Sequence, residues 1–496
     1  MTDTQSTDVA VIGAGPAGLT TAYELSRIAP DLDVATFEGS SEIGGISRTV
    51  VYDGYRVDIG GHRFFTKIEE VKQVWHEILG DEFLRRPRKS RIFYRGKFYD
   101  YPLRIFNALG NIGAYESARI MISYLKWQVR PHKVEDNFEE WVMNRFGGRL
   151  YMHFFRSYTA KVWGIDPKHI QADWAAQRIK SMTLWSVAMK ALTGRSEETS
   201  LIEEFDYPRH GPGQMWERCV DILRERGQSV RMEAWVDRIE RDGDRVTALR
   251  VRTPDGDLRV EAEHFVNSMA VRDLIHAFDP PPPPAVVEAA DRLKYRDFLI
   301  VALVLDTPDP FDDNWIYIHS DDVRVGRIQN FRSWSEAMVA DPAHSSIGME
   351  YFCNEGEDLW SMDDDALVAA AGQELEALGL ARSGSILKGK VIRQKKAYPV
   401  YDTAYRDALD VVSDWLKGLE NLQTVGRNGL HRYNNQDHSM LTGLYAARNI
   451  TGATHDLWDV NVERSYHEEM QVPDDKESSA QDLPDERDES HDAKAA

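Results

Sequence analysis

A glycine-rich turn close to the N-terminus constrains the fold of this chain more than any other feature. Residues 13–18 read Gly-Ala-Gly-Pro-Ala-Gly and lie between a short apolar strand, Val9 to Ile12, and a helical pattern, Leu19 to Ile28. Asp33 to Phe37 predicts a second strand, which leads into Glu38, 20 residues past the last glycine of the turn. A strand, a turn, a helix and a second strand in this order predict a βαβ unit.

The spacing of the glycines, G-x-G-x-x-G, also indicates a ligand. Gly13 permits the tight turn, Gly15 lets the backbone approach a pyrophosphate, and Gly18 lets the helix pack closely on the strand. Ala17 lies in the same turn, where a helix N-terminus attracts phosphate groups. The Glu38 carboxylate is placed to bind a ribose hydroxyl. A βα turn without a ligand is the alternative, but these features in register favour a dinucleotide site.

The composition excludes several other classes of protein. The chain has 496 residues with 60 basic and 81 acidic side chains, so its formal net charge is −21. This balance argues against duplex nucleic acid or an anionic membrane as the main partner, although a local basic patch can still bind a phosphate. Cys219 and Cys353 are the only cysteines and lie far apart, which excludes a disulfide framework, a cysteine-rich zinc site and an iron–sulfur cluster. No metal is predicted.

Signals for secretion or membrane insertion are absent from the sequence. Residues 1–8 are polar and lack a signal-peptide pattern. The longest apolar run, Phe298 to Leu305, is too short to cross a bilayer and predicts a buried strand. We therefore expect a cytoplasmic protein without an integral membrane segment, and no pattern in the sequence indicates an oligomeric state.

Hydrophobic periodicity divides the rest of the chain into helical and strand-rich blocks. Helices are predicted at Ile105 to Val142 with a break near Pro131, Arg149 to Trp163, Gly213 to Arg226, Asp364 to Leu378 and Gly443 to Ile450. Strands are predicted at Ser229 to Val236, Arg245 to Arg252, Leu258 to Val266, Phe298 to Leu305, Trp315 to His319, Val325 to Asn330 and Ile347 to Phe352.

A second glycine pair narrows the identity of the dinucleotide. Gly44-Gly45-Ile46-Ser47-Arg48 resembles the G-G-x-x-R segment of FAD-binding oxidoreductases related to amine oxidases. In that superfamily the glycines, here including Gly45, pass close to the cofactor, and the arginine, here Arg48, serves its phosphates. Val236 falls in a stretch that resembles the second FAD segment, where its backbone would contact the adenine. The resemblance implies FAD as the cofactor, with NAD(P)H at most a transient reductant.

Further motifs resemble one family within this superfamily. The first is Gly60-Gly61-His62 followed by Arg63-Phe64-Phe65, and the second runs from Gly426-Arg427 to a closing R-Y-N-N-Q-D-H-S-M at residues 432–440. Similar segments follow in the same order over most of residues 8 to 455: Tyr158 to Trp163, Gln177-Arg178, Tyr207 to Arg209, Ser268 to Val271, Gly326-Arg327 and Tyr398-Pro399. Together they are similar to UDP-galactopyranose mutase, particularly its eukaryotic type.

That resemblance implies a role for each matching residue. Arg178 and Arg327 match two arginines that clasp the substrate diphosphate, Tyr398 and Tyr433 match tyrosines that reach it, and His62 matches a histidine that holds the loop facing N5 of the flavin. The residues implied near the nucleotide are Tyr101, Thr159 and Trp163. The cofactor contacts implied by the two motifs are Gly61, His62, Gly426, Asp437, His438, Ser439 and Met440.

The reaction implied by the resemblance interconverts the pyranose and furanose forms of a UDP-hexose, in the supply of surface glycans. In this family N5 of reduced FAD is the nucleophile at the anomeric carbon, and no net redox occurs. An acidic chain that binds a diphosphate must place arginines locally to receive it. The sequence shows no Ser–His–Asp grouping and no G-x-S-x-G motif, in agreement with chemistry carried by a cofactor.

Three departures from the family pattern leave other functions open. Thr159 stands where the family usually has Asn, Leu103-Arg104 replaces Phe-Gln, and His431 replaces Trp, all where the nucleotide or sugar would be bound. The alternative function is therefore an oxidoreductase of the wider superfamily: an amine, protoporphyrinogen or polyene oxidase or a desaturase. A third is an FAD-holding scaffold without activity.

Ordinary structural roles compete with the functional ones at single residues. His62 can be a buried core histidine, Arg178 a residue on a solvated helix face, and Arg327 a member of an internal ion pair. Tyr398, Tyr433 and Trp163 can be core aromatics. The basic residues from Arg85 to Arg91 are interpreted as a solvated rim rather than as a phosphate-binding site.

The fold class predicted from these features is α/β, with a Rossmann-type, amine-oxidase-like FAD-binding domain interleaved with a substrate domain of mixed sheet plus a helical insertion. The FAD-binding domain is assigned discontinuously to residues 1–100, 205–285 and 400–470. Residues 101–204 form the helical insertion and 286–399 the sheet-containing part. Residues 472–496, with nine acidic and three basic side chains, are typical of a disordered tail.

Overall fold

The computed structural model of the chain describes residues 3–101, 105–172, 199–201, 204–461 and 469–471. Arg178 and the acidic tail at 472–496 lie outside the described residues. The strands are β1 (Asp3–Ile12), β2 (Val34–Phe37), β3 (Thr49–Tyr52), β4 (Tyr55–Asp58), β5 (Phe83–Pro87), β6 (Ser90–Tyr94), β7 (Lys97–Asp100), β8 (Thr199–Leu201), β9 (Glu204–Pro208), β10 (Ser229–Arg231), β11 (Trp235–Asp242), β12 (Arg245–Thr253), β13 (Gly256–Asn267), β14 (Phe278–Asp279), β15 (Tyr295–Leu305), β16 (Trp315–Ile318), β17 (Arg327–Asn330), β18 (Ser345–Cys353), β19 (Ile386–Pro399), β20 (Leu422–Thr424) and β21 (Glu469–Gln471).

The helices of the same ranges are α1 (Pro16–Ile28), α2 (Glu69–Leu79), α3 (Ile105–Ile112), α4 (Ala114–Val129), α5 (Phe138–Phe146), α6 (Gly148–Phe154), α7 (Arg156–Trp163), α8 (Gly213–Glu225), α9 (Val271–Ala277), α10 (Pro284–Arg292), α11 (Phe331–Trp334), α12 (Asp358–Ser361), α13 (Asp364–Ala377), α14 (Tyr405–Lys417), α15 (Gly426–Gly429) and α16 (Gln436–Ile450).

The first sheet contains the βαβ unit predicted at the N-terminus. Its strands lie in the order β10-β2-β1-β13-β12-β11-β14, and β20 pairs with the end of β13. β1 is parallel to both β2 and β13, whereas β13, β12 and β11 form an antiparallel meander. α1 follows β1 directly because Pro16 sets the backbone for the first helical turn and lacks the N–H that would be unpaired there.

Apolar side chains cover this sheet on both faces, so its strands are buried as expected for parallel pairing. On one face α1, α8 and α16 pack around Val9, Val11 and Leu19. On the other face α9, α10 and α14 pack around Ala10 and Phe265. The carboxyl ends of β1 and β2 are therefore held in a rigid frame, which is where α/β sheets bind ligands.

A second, mainly antiparallel sheet lies in the order β19-β15-β18-β17-β16-β6-β7. β15 lies between β19 and β18, and every residue from Arg296 to Leu305 is buried. One face packs on α13, and the other contributes to a cluster that includes the aromatic residues of α5, α6 and α7. Together the two sheets and the helices confirm the predicted mixed α/β class; the proposed domain boundaries stay predictions.

Three predicted elements differ in detail from the structure. The strand predicted at Ser229 to Val236 is two strands, β10 and β11, because Glu233 adopts a left-handed backbone (φ 53°) between them. The helix predicted at Arg149 to Trp163 is interrupted at Phe155, so α6 and α7 are separate. The last helix begins at Gln436, seven residues before the predicted start.

The contact of α1 with α16 requires a glycine. A Cβ added at Gly443 would overlap the carbonyl oxygen of Ala17 and lie 3.1 Å from the backbone nitrogen of Thr21. We expect Gly443→Ala to lower the free energy of unfolding by about 1–3 kcal/mol through overpacking and to reduce flavin content. The matched control is Gly110→Ala in α3, where no atom lies within 4 Å of the added Cβ. Urea unfolding and absorbance at 450 nm measure both effects, and equal behaviour of the two variants would contradict this packing.

Candidate functional site

A cavity of about 670 Å³ opens at the carboxyl ends of β1 and β2. It is bounded by the first sheet, by the loop that follows β2, and by the N-terminal turn of α16. The predicted cofactor residues that line it are Gly13, Gly15, Ala17, Glu38, Gly45, Arg48, His62, Val236, Gly426 and Ser439. The cavity therefore brings together residues from both glycine motifs and from the C-terminal segment.

The remaining predicted cofactor residues lie behind the cavity wall. Gly18 packs α1 on the preceding turn, where a Cβ would overlap the Gly13 carbonyl. The Met440 sulfur is buried in the core and accepts a hydrogen bond from Trp75 Nε1. Asp437 is buried beside His438, and the backbone nitrogen of His438 donates to Asp437 Oδ1 at 2.9 Å. None of these residues lines the cavity, and neither does Gly61, which directly precedes His62.

The two glycine motifs touch each other across the cavity floor. A Cβ on Gly45 would lie 3.2 Å from the Gly15 Cα, and a Cβ on Gly13 would overlap the Ser268 hydroxyl. Gly13 and Gly45 also have positive φ angles, 98° and 56°. Because no side chain fits at either position, the backbone itself forms a cradle that a pyrophosphate can approach.

Glu38 holds this cradle together through the backbone. Its Oε2 accepts a hydrogen bond from the Ala14 nitrogen at 2.8 Å, and its Oε1 accepts from the nitrogen and hydroxyl of Ser40 at 2.9 and 2.8 Å. A carboxylate has about four acceptor positions, so Glu38 can still accept from a ribose hydroxyl. The backbone role is an addition to the predicted one.

Arg48 is fixed by three acceptors rather than extended into solvent. Its Nε donates to Glu42 Oε2 at 2.6 Å, and its Nη1 donates to the Gly45 carbonyl at 2.8 Å and to Gln394 Oε1 at 2.6 Å. The guanidinium thus joins the second glycine motif to β19. It presents a positive charge at the cavity, as a phosphate contact requires.

Gln436 is the clearest cofactor-facing residue that the sequence analysis did not select. It lines the cavity, and both polar atoms of its side-chain amide are buried without a hydrogen-bond partner in the described part of the chain. A buried amide without hydrogen-bond partners lowers stability by about 1–3 kcal/mol. A ligand that offers both a donor and an acceptor to Gln436 would remove this penalty. Together with the glycine cradle, this residue fits a bound FAD. Its position within the R-Y-N-N-Q-D-H-S-M segment was the signal available.

His62 lies between the cavity and the second sheet. Its Nε2 is 2.8 Å from the Ile59 carbonyl oxygen, so this nitrogen carries the proton. Burial, followed by the positive charge of Arg427, lowers the pKa of His62 to about 4. The imidazole is therefore neutral at physiological pH. A Cβ on the preceding Gly60 would lie 3.8 Å from Arg327 Nη2, so this loop separates the cavity from Arg327.

Arg327 forms an ion pair with the buried carboxylate of Glu350, in which two guanidinium nitrogens contact one carboxylate oxygen. Arg327 Nε and Nη2 lie 2.7 and 2.5 Å from Glu350 Oε2, and Glu350 also accepts from Gln329 Nε2. Burial alone would lower the pKa of Arg327, but the charge and hydrogen bond of Glu350, together with the neighbouring Tyr398 and Tyr158, outweigh burial and raise the pKa. The internal ion pair named as an alternative for Arg327 is thus present, and it holds a permanent cation beside the loop of His62.

Three of the predicted substrate residues form one aromatic cluster. The rings of Tyr398 and Tyr433 are stacked at 5.5 Å, and the Trp163 ring lies 6.2 and 6.3 Å from them. The Arg427 guanidinium lies 4.8 Å from the Tyr433 ring centroid. Burial raises the pKa of the Tyr398 hydroxyl, and the positive charge of Arg327 acts in the opposite direction. The cluster therefore places two arginines against a flat, partly polar surface.

Tyr101 and Thr159 lie further along the same side of the second sheet. The Tyr101 ring is 4.7 Å from Tyr317, and Tyr317 meets Tyr158 edge-on at 5.8 Å. Thr159 is buried on α7 next to Tyr158. Tyr158 and Tyr317, which the sequence analysis did not select, thus connect Tyr101 to the rest of the aromatic surface.

Lys161 anchors the segment that leads to Arg327. Its Nζ donates to the carbonyl oxygens of Ser320, Val323 and Val325 at 2.8, 2.9 and 3.2 Å. Burial lowers the pKa of Lys161 to about 8, against the opposing charge of Asp321. Because Lys161 lies on α7, this bond network fixes the helix of Thr159 and Trp163 relative to the strand of Arg327.

The basic cluster at Arg85 to Arg91 is engaged by neighbouring residues. Arg85 and Lys89 form exposed ion pairs with Glu204 and Asp312, Arg86 donates to the Trp334 carbonyl at 2.7 Å, and Arg91 pairs with the buried Asp313 at 2.6 Å. Over the described residues no group of His, Cys, Asp and Glu could hold a metal ion. The helices of those same residues include none long and apolar enough to cross a membrane.

Comparison with known proteins identifies the family. The model for "flavin containing amine oxidoreductase" matches residues 16–417. The chain belongs to this family. Its members bind FAD, which confirms the predicted cofactor and the amine-oxidase-like fold. Coproporphyrinogen III oxidase from Staphylococcus aureus (strain NCTC 8325 / PS 47) is 33% identical over 100 residues, 19% of this chain and 21% of that protein. The chain thus aligns with about a fifth of that curated relative.

Solved structures of this fold include several flavoproteins. A reduced UDP-galactopyranose mutase has a TM-score of 0.79 at 20% identity and covers 90% of this chain and 94% of its own. A protoporphyrinogen oxidase from Exiguobacterium sp. 255-15, assigned only by similarity, has a TM-score of 0.67 at 16% identity over 89% and 98% of the two chains. Putrescine oxidase bound to putrescine has a TM-score of 0.60 at 17% identity over 91% and 100%. At these identities the likeness concerns the fold.

A buried carboxyl group next to the His62 loop gives the amine-oxidase fold of this chain a pH-dependent stability. Asp58 accepts hydrogen bonds from the hydroxyls of Tyr207 and, at 2.8 Å, Thr49. Burial raises the pKa of Asp58 to about 7. The folded protein therefore binds a proton that the unfolded chain releases above about pH 4. The bound proton stabilises the folded state, and this stabilisation is lost as the pH rises through 7.

We expect the stability difference between wild type and Asp58→Asn to shift by about 2 kcal/mol in favour of the wild type from pH 7.5 to pH 5.5. Urea unfolding of both proteins across this range measures the shift. Titration of the other groups cancels in the difference. Parallel pH profiles would show that Asp58 is ionised throughout.

Proposed function

We propose that the chain is a flavin-dependent nucleotide-sugar mutase, which interconverts the pyranose and furanose forms of a UDP-hexose for surface-glycan supply in the cytoplasm. The observation that carries the proposal is the position of Arg327. This partly buried, permanently charged guanidinium lies between the loop of His62, which borders the FAD cavity, and the aromatic cluster of Trp163, Tyr398 and Tyr433.

The residues of this region suit a diphosphate joined to a flat base. Arg327 supplies a cation held in place by the fully buried carboxylate of Glu350, and Arg427 supplies a second one over Tyr433. Arg178 stays a prediction for the opposite side of the diphosphate. The Tyr398 and Tyr433 hydroxyls can donate to phosphate oxygens, and a base can stack on an aromatic ring.

The proposed division of labour leaves the bond-making step to the cofactor. Bound, reduced FAD supplies the nucleophile, N5, at the anomeric carbon. The chain would bind and orient the sugar next to this cofactor, and Arg327 would stabilise the negative charge of the departing diphosphate. His62 stays neutral because its pKa is about 4, so it adds no charge that would hold the diphosphate too tightly. No protein nucleophile is required.

A second candidate is an FAD-dependent oxidoreductase acting on an amine or a porphyrinogen. The family match and the 33% identical segment shared with a coproporphyrinogen III oxidase favour it. This alternative predicts consumption of oxygen and no need for a nucleotide. It also predicts no role for a permanent cation at the position of Arg327.

The two functions are separated by one experiment on the purified flavoprotein. Dithionite-reduced protein is incubated anaerobically with UDP-galactofuranose, and the products are separated by chromatography. Conversion to UDP-galactopyranose that requires reduced flavin supports the mutase. Peroxide formation with putrescine or coproporphyrinogen, together with no ring interconversion, would establish the oxidoreductase instead.

Arg327→Ala is expected to reduce ring interconversion by at least about 100-fold, because a charged contact to the leaving group is lost. FAD absorbance should be retained. Arg91→Ala is the matched control, since Arg91 also pairs with a fully buried carboxylate, Asp313, on the same sheet. Equal losses in both variants, or loss of flavin from Arg327→Ala alone, would contradict the proposed role.

A further inference from the structure

Exposed apolar side chains are concentrated on one helix of the helical block. The described residues include eleven large apolar side chains that are exposed, and five of them lie between residues 115 and 134: Tyr115, Ile122, Leu125, Val129 and Val134. Tyr115 and Val129, at 77% and 79%, are among the most exposed. Scattered apolar residues on a surface need no explanation, but a contiguous group indicates a contact with something else.

The spacing of these residues places them on a single stripe. Tyr115, Ala118, Ile122, Leu125 and Val129 follow one another at alternating intervals of three and four residues, which is the spacing of one helix face. The opposite face carries Ile120 and Tyr124, which are buried against α6 and its neighbours. α4 therefore has an inner apolar face that packs in the core. Its outer apolar face, on a helix about 24 Å long at 1.5 Å per residue, is exposed and packs against no other element of the described residues.

The charges beside this stripe have the opposite sign from the protein as a whole. Residues 114–134 contain four basic side chains, at 119, 126, 130 and 133, and one acidic side chain, Glu116. Glu116 is engaged by Arg149 and His153 and, at 3.4 Å, by Arg119, so the segment keeps a net positive charge. On the helix, Arg119 and Lys126 lie along one border of the apolar stripe. Charges further away than the Debye length of about 8–10 Å are screened, so a nearby anionic surface is attracted by this patch despite the net charge of −21.

We propose that the outer face of α4 docks the protein on the surface of an anionic lipid bilayer. An apolar helix face bordered by lysine and arginine is the pattern of a helix that lies in the membrane interface. The long basic side chains can keep their charged ends at the headgroups while their stems cover apolar surface, and Tyr115 has the amphipathic ring favoured at that depth.

A second copy of the chain fits this face less well than a membrane. A two-fold contact sets the same patch against itself, so the basic border of one α4 would approach that of the other with no uncommitted carboxylate between them. Sequence composition argued against an anionic membrane as the main partner. The local charge of α4 reverses that expectation for this face, independently of the proposed mutase function.

The test is cosedimentation of the full-length flavoprotein with vesicles of phosphatidylglycerol and phosphatidylcholine (1:1) and with vesicles of phosphatidylcholine alone. Binding is expected only to the anionic vesicles and is expected to weaken in 0.5 M NaCl. Ile122→Gln, Leu125→Gln and Val129→Gln together should reduce binding at least tenfold. Lys126→Gln with Arg130→Gln should reduce it about 25-fold, at about fivefold for each basic residue.

Val51→Gln with Leu387→Gln is the matched control, because these side chains are 55% and 50% exposed elsewhere on the protein. Circular dichroism and flavin content report that each variant is folded. The proposal is overturned if the wild type binds neither kind of vesicle, or if the triple glutamine variant binds as well as the wild type. A wild-type dimer that the triple variant converts to a monomer, without vesicle binding, would overturn it in favour of self-association.

Discussion

The close approach of three backbone segments at the carboxyl end of the first sheet is the constraint on which the rest of the site depends. Gly13, Gly15 and Gly45 meet without side chains, and Gly443 lets α16 lie directly on α1. Any Cβ at these contacts meets backbone or a hydroxyl. Glu38 then fixes the turn by accepting from the Ala14 nitrogen. Because these positions carry no side chain, backbone atoms line the floor of the cavity.

The second sheet adds charge to this frame. Arg327 keeps its charge in a partly buried position because the carboxylate of Glu350, which is fully buried, lies beside it and is held in turn by Gln329. Such a pair contributes little net stability, since desolvation of both groups offsets their attraction. The ion pair instead fixes the position of the Arg327 guanidinium beside the loop of His62. Lys161 extends the same principle by tying α7 to the segment before Arg327.

Local sequence patterns were sufficient to predict those parts of the fold and site that are formed by residues close together in the sequence. The turn at residues 13–18, Glu38 and the βαβ unit could be predicted because they lie within one continuous segment. Gln436 was missed although it stands inside a selected motif, since only the burial of its unmet amide singles it out. Glu350 was missed too, but a lone carboxylate in the apolar run of β18 was a usable signal. The break between β10 and β11 depends on the positive φ of Glu233. The residue types in this segment do not predict that backbone angle.

The sequence by itself determined the βαβ unit, the FAD cofactor and the order of the main elements, because glycine spacing and hydrophobic period act over short range. The tertiary structure decided which distant residues meet: Arg327 with Glu350, Trp163 with Tyr398 and Tyr433, and Gly15 with Gly45. It also decided which of the two apolar faces of α4 is left outside the core. These outcomes depend on how the sheets and helices pack, and a periodic pattern gives the faces of an element without stating which face finds a partner.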